Sequence, residues 1–232
     1  MSDMGKAEQD QLKRVAAEAA VADLDNGIVL GLGTGSTAAI ALEALAERVA
    51  KGLRVAGIPT SEHTAARARE LGVPLTSFAE CRRIDLTIDG ADEVEVGSLN
   101  LIKGLGGALL REKIVASASK RMVVIVDESK LVDRLGQHAP VPVEIVAFGW
   151  QVTLDRLADL GGRPTLRMAG DEPYRTDGGN HIADCAFAEI GDPADLERRL
   201  AAITGVVESG LFIGLAARVV VGTRSGMRVL ER

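Results

Sequence analysis

The sequence predicts an α/β fold: a parallel sheet covered by helices on both faces, with a second, smaller α+β lobe. Three observations carry this expectation. Short apolar runs alternate with helical stretches as far as Val126, glycine-bearing turns follow several of those runs, and the texture changes from about Pro140. Strands separated by helices are joined by crossovers, which set neighbouring strands parallel and lay helices on the sheet faces.

Each element has its own signal. Over residues 8–25, Leu12, Val15, Ala16 and Ala19 share one helical face, and Asn26-Gly27 provides a stop. IVLGLG (28–33) reads as a strand running into glycines. The segment STAAIALEALAERVAKG that follows is a helix able to start at Ser36 or Thr37 and end at Gly52. LRVAGIP is a strand, SEHTAARAREL a helix closed by Gly72, and IDLTI a strand entering DGADE. After a glycine loop come the helix ALLREKIVASAS and the strand RMVVIV.

Beyond Pro140 the order is strand (VPVEIVAF), helix (GWQVTLDRLADLG), strand (RPTLRMA), a hairpin candidate at Asp177-Gly178-Gly179-Asn180, and a helix (PADLERRLAAITG). This β-α-β-β-α order suggests a ferredoxin-like lobe. The last segment holds two or three strands that return to the first domain. The expected division is 1–136 plus 209–232 for the main domain and 137–208 for the lobe.

Composition narrows the function. With 27 basic and 33 acidic residues the net charge is -6, which implies no basic face for DNA or an anionic membrane. Aromatics at 3% provide few stacking platforms for single strands. Cys81 and Cys185 lie far apart in no metal or redox spacing, which fits a reducing, cytoplasmic setting. The N-terminal stretch MSDMGKAEQDQLKRV has no apolar signal region, and no apolar run reaches the roughly 18 residues of a membrane span.

Three stretches offer chemistry. Gly31-Leu32-Gly33-Thr34-Gly35-Ser36-Thr37 lacks the ending of a P-loop, and Ser36 stands where a dinucleotide fingerprint needs its third glycine. What remains is a strand-to-helix loop with open amides and hydroxyls at a helix start, suited to a single phosphate or serving as an ordinary turn. In Asp89-Gly90-Ala91-Asp92-Glu93, Asp89 and Asp92 follow an apolar strand, and Gly90 permits close approach of a ligand. Glu93 and Glu95 read as solvated surface.

In Lys103-Gly104-Leu105-Gly106-Gly107 a lysine precedes glycines and a helix start, where it can hold an oxyanion or phosphate or act as a Schiff-base amine. Glu112 lies four residues from Ala108 and Ala116. It is open either to a small ligand as a general base or, within Arg111-Glu112-Lys113, to solvent. Helical spacing alone favours solvent. His63, His138 and His181 match no metal spacing and read as surface or loop residues. Trp150 reads as a core anchor of the lobe. Lys130, in DESKLV, sits at a strand end.

Taken together and in this order, GLGTGSTA, IDGADEV, LIKGLGGALLREKIVA, DESKLV, PVEIV and GLF near residue 212 resemble the ribose-5-phosphate isomerase A family. The resemblance implies interconversion of ribose 5-phosphate and ribulose 5-phosphate in the pentose phosphate pathway, without metal or organic cofactor. It also implies a Rossmann-like domain with a smaller lobe, assembled as a homodimer or tetramer. It puts substrate contacts on Thr34, Gly35, Ser36, Thr37, the Asp89-Gly90-Ala91-Asp92 turn, Lys103, Gly104, Leu105, Gly106 and Lys130, with Lys13 nearby.

The proton-shuttling glutamate falls on Glu112, against the solvent reading of its spacing, with Asp89, Asp92 and Lys103 as its catalytic companions. Thr60, Ser61 and Thr64 resemble a hydroxyl-rich loop of the family, outside the core site. Leu105 interrupts a glycine run found in many members, and Leu110 replaces a threonine of some. If the Leu105 amide still donates to a ligand, the interruption costs nothing. Two other enzyme classes and one binding class stay open: a Schiff-base lyase using Lys103, a coenzyme A transferase with a nucleophilic glutamate, and a sugar-phosphate sensor.

Overall fold

Leu12, Ala16, Ala17 and Val21 recur at helical spacing in the helix Lys6–Ala22, and all are buried. The helix Ser36–Ala50 repeats the pattern with Ala38, Ala41, Leu42, Leu45 and Ala46. The computed structural model describes residues 5–232, so the first four residues of the polar N-terminal stretch lie outside it. It divides into two compact units, one comprising residues up to Ala91, Arg111–Leu131 and Leu215–Arg232, the other Asp92–Leu110 and Val132–Gly214. No described helix is long and apolar enough to cross a membrane.

The first unit is built on a six-stranded sheet. Its order is Gly226–Glu231, Ala216–Thr223, Met122–Asp127, Leu86–Asp89, Ile28–Leu32 and Val55–Pro59. All neighbours are parallel except the terminal hairpin Ala216–Thr223 with Gly226–Glu231. Alternation along Ile28–Leu32 assigns the two faces. Leu30 and Leu32 join the core made with the helices Lys6–Ala22 and Ser36–Ala50, whereas Val29 packs with Ile58, Ile84 and Val115. The helices therefore cover both faces, as a parallel sheet requires.

The second unit contains a four-stranded antiparallel sheet, ordered Val206–Ser209, Val141–Ile145, His181–Ala186, Arg163–Leu166. The helices Trp150–Asp159 and Pro193–Ala201 bring Leu157, Leu196 and Leu200 into its core. Trp150 packs against that core partly buried, as an anchor would. With the helices placed between strands one and two and between strands three and four, this is the ferredoxin-like arrangement. A small sheet adds Glu93–Glu95, Leu101–Ile102 and Leu211–Phe212, with the Val96 N–H donating to Val132 O at 2.9 Å.

Several elements differ from the sequence reading. The contacts put 92–110 in the second unit, because Ile102 belongs to that unit's apolar core and Lys103 N–H donates to Gly210 O. The Asp177–Asn180 stretch is a closed turn, with Thr176 N–H donating to Asn180 O and Gly179 N–H to Thr176 O, and the local hairpin is Met168–Ala169 with Glu172–Pro173.

Glu93 is not surface: it is 1% exposed and its carboxylate accepts the N–H groups of Gly136, His138 and Ala139. A carboxylate closing a loop in this way avoids the cost of an unmatched buried charge. Glu95 is half-buried and accepts from the Ser98 hydroxyl. His181 is also buried, because it opens a strand of the lobe sheet and its Nδ1 lies 2.8 Å from Tyr174 O. His63 and His138 are exposed.

Candidate active site

In the first unit the strand Leu86–Asp89 ends on a fully buried carboxylate. Oδ1 of Asp89 accepts the N–H of Thr34 at 3.2 Å and that of Gly90 at 2.8 Å. Gly33 is what lets the loop come so close, since a Cβ there would lie 2.1 Å from Oδ1 and 2.6 Å from Asp89 Cα.

The Thr34 hydroxyl enters a cluster: Thr60 Oγ1 at 2.7 Å, Ser61 Oγ at 2.9 Å and Thr64 Oγ1 at 3.1 Å. Thr60 and Thr64 donate onward to the carbonyls of Leu32 and Gly33. Gly35, at φ +112°, then turns the chain into the helix Ser36–Ala50 without any side-chain cap. Its first amides are left open beside the exposed Ser36 and half-buried Thr37, an arrangement that favours an anion.

The same unit holds Lys13, Gly90, Ala91, Glu112 and Lys130. Lys13 is 8% exposed and 3.5 Å from Asp10. Lys130 is half-exposed at the end of the turn Glu128–Lys130, and Gly90 and Ala91 are half-buried. Glu112 sits in the first turn of the helix Leu109–Ser117 and is 4% exposed. The solvent reading of its spacing therefore fails. Lys113 is buried too, and only Arg111 reaches outward, 2.8 Å from Glu62.

In the second unit Asp92 Oδ2 accepts the N–H of Leu105 at 2.9 Å. The Leu105 amide thus has a carboxylate acceptor within its own unit. Leucine is tolerated because the only non-glycine at positive φ among the described residues is Leu99, while Gly104 takes φ +108°. Lys103 is 2% exposed, with its N–H on Gly210 O at 2.9 Å and its Nζ 5.5 Å from the centre of the Phe212 ring. Gly106 is exposed.

The sequence reading missed two sets of supports. Thr60, Ser61 and Thr64 do not stand apart from the loop but fix Thr34, and the Ser61-x-x-Thr64 capping spacing was the available signal, with Thr64 N–H on Ser61 Oγ at 3.0 Å. Arg167 donates to the carbonyls of Gly104 and Leu105, both at 3.1 Å, and nothing local in the sequence marks it.

Buried acids and amines, Asp89, Glu112 and Lys13 in the first unit and Lys103 in the second, mark an enzyme of the α/β class. The family model described as ribose 5-phosphate isomerase A (phosphoriboisomerase A) matches residues 56–226. Ribose-5-phosphate isomerase A of Gloeobacter violaceus is 57% identical over 95% of this chain and 96% of its own. A solved D-ribose-5-phosphate isomerase in complex with phospho-erythronic acid superposes with TM-score 0.93 at 41% identity, covering 96% of this chain and 99% of the other. Ribose 5-phosphate isomerase A from Methanocaldococcus jannaschii gives 0.92 at 40% identity, with 97% and 100% covered. The chain belongs to the ribose 5-phosphate isomerase A family.

Proposed function

We propose that the chain interconverts D-ribose 5-phosphate and D-ribulose 5-phosphate by moving one proton between C2 and C1 through a cis-enediolate. The observation that carries this, beside the family, is the burial of Glu112 on a helix whose spacing alone would leave it in solvent. In the open aldehyde Glu112 takes the C2 proton, and the electron pair passes through C1–C2 onto the C1 oxygen. The hydroxyl proton passes from the C2 oxygen to the C1 oxygen, and the protonated Glu112 then delivers its proton to C1 as the C2 oxygen becomes the ketone.

Lys103 stabilises the enediolate oxygen, Asp89 and Asp92 bind hydroxyls, and Asp89 assists ring opening. The phosphate binds at the open amides and hydroxyls of Ser36 and Thr37, with Lys13 and Lys130 contributing positive charge. Holding this remote group places C1 and C2 for reaction. The resident groups supply both acid–base and charge-stabilising roles, so the reading includes no metal or organic cofactor.

The enzyme works as a homodimer or tetramer in the cytoplasm. Self-association is supported by Val146, Phe148 and Val152, exposed 41%, 93% and 55% within seven residues of chain. The compartment is supported by two free thiols, Cys81 and Cys185.

The test is ribulose 5-phosphate formation by EDTA-treated protein, with Glu112→Gln alongside. Wild type should turn over, and the variant should lose on the order of 10²-fold or more. A covalent mass increase after borohydride with substrate would favour the Schiff-base lyase. Tight sugar-phosphate binding without turnover would favour the sensor.

A further inference from the structure

Arg167 lies in the short link between the strands Arg163–Leu166 and Met168–Ala169, 62 residues beyond Leu105 in sequence. Its guanidinium engages Asp184 with two N–H groups, Nε to Oδ2 at 2.9 Å and Nη2 to Oδ1, the two side chains being 15% and 23% exposed. The Tyr174 ring lies 5.9 Å from the guanidinium carbon. A fork held on two edges has little freedom left. Its third nitrogen, Nη1, donates to both Gly104 O and Leu105 O.

Those two bonds fix two consecutive peptide planes. No peptide bond among the described residues is cis, so the N–H of each plane points opposite to its carbonyl. In the Gly104–Leu105 plane the carbonyl is held by Arg167 and the amide by Asp92, which locks it at both ends. In the Leu105–Gly106 plane the carbonyl is likewise held by Arg167. The Gly106 amide is therefore aimed away from the guanidinium, at an exposed residue and with no acceptor among the described residues.

We propose that Arg167, steadied by Asp184, is a positioning residue of the isomerisation. It holds the Gly104–Gly106 peptides so that the Gly106 N–H donates to the sugar oxygen that gains charge in the enediolate. This rests on the isomerase reading given above and adds a device to it: an amide donor oriented beforehand, which contributes most when charge develops.

The test uses the full chain and the variants Arg167→Met, Arg167→Lys and Asp184→Asn. The measurements are kcat and KM for ribose 5-phosphate, and Kd for phospho-erythronic acid and for inorganic phosphate. The carboxylate of phospho-erythronic acid stands in for the enediolate oxygens; inorganic phosphate tests the anion anchor alone. Misplacing the amide by about 1 Å predicts a fall of about 10²-fold in kcat for Arg167→Met with KM little changed, and a comparable loss of phospho-erythronic acid affinity. The affinity for inorganic phosphate stays at the wild-type value.

Arg167→Lys, with a point charge in place of a fork, recovers part of kcat, and Asp184→Asn falls between wild type and Arg167→Met. Near-normal kcat in Arg167→Met, or equal loss of both ligands, overturns the proposal. If Arg167→Met does not fold, Asp184→Asn carries the same readouts. If the wild type binds phospho-erythronic acid but does not turn over, the isomerase reading fails, while selective loss of the acid in the variants still identifies the orienting role.

Discussion

The two glycine loops are each pinned by one carboxylate of the same turn, yet they are held by different chemistry. Asp89 takes the Thr34 amide and Asp92 takes the Leu105 amide. Around Thr34 the remaining supports are neutral hydroxyls from Thr60, Ser61 and Thr64. Around Leu105 the support is an ion pair, Arg167 with Asp184. A loop assigned to a permanently charged phosphate needs only open amides and a rigid frame. A loop beside the lysine assigned to a developing charge gains from a frame that is itself charged and cannot rotate.

The largest expected effect comes from breaking the first frame. Gly33→Ala would drive a Cβ into the Asp89 backbone at 2.6 Å, which overpacking data place at about 1–3 kcal/mol or more, with loss of activity. Denaturant unfolding and kcat/KM check both. Gly210→Ala attacks the second frame, because its Cβ would meet Lys103 O at 2.1 Å and Pro142 O at 3.1 Å. A similar or smaller loss of stability is expected, with kcat falling more than KM rises, measured by steady-state kinetics.

Thr60→Val is milder. It removes the bonds to Thr34 Oγ1 and Leu32 O at a fully buried site, costing about 1–2 kcal/mol, and raises KM while leaving kcat near wild type.

Two smaller effects sharpen the comparison from outside the loops. The Lys120 ammonium, then the Val29 N–H, hold the Asp85 carboxyl below its ordinary 3.8. Its contribution is present above about pH 3.8 and is lost as pH falls through the lower folded value, so Asp85→Asn should differ most from wild type at neutral pH and converge with it in acid. Unfolding curves at several pH values read this. The thiols report each unit separately: burial pushes Cys185 up to about 12, whereas Cys81 is half-exposed. A thiol reagent should modify Cys81 in the native protein and reach Cys185 only on unfolding.

The main sheet was legible because its information is local. Leu42, Leu45 and Ala46 announce a helix face within one turn of one another, and Gly33, Gly35 and Ser36 announce the strand-to-helix loop. Glu112 was legible only through its neighbours in a longer ordered set of motifs. Three charges in a row look the same whether a helix presents them to water or buries two of them. Glu93 was misread because its partners, Gly136, His138 and Ala139, are 43, 45 and 46 residues away. Arg167 lies 62 and 63 residues from the carbonyls it holds. Its role depends on pairing between strands, which no short window contains.

The hydroxyl cluster has an electrical direction. Thr64 gives its proton to the Gly33 carbonyl, which has none to offer, while Thr60 stands 3.1 Å from the Leu32 carbonyl and 2.7 Å from the Thr34 hydroxyl. Ser61 donates to Thr64 and Thr34 donates to Ser61, so this run of dipoles leaves Thr34 and returns to the carbonyl of Gly33, the residue before it. The loop is thereby tied to the start of the helix Glu62–Glu70, and any shift of Thr34 has to break that ring of bonds.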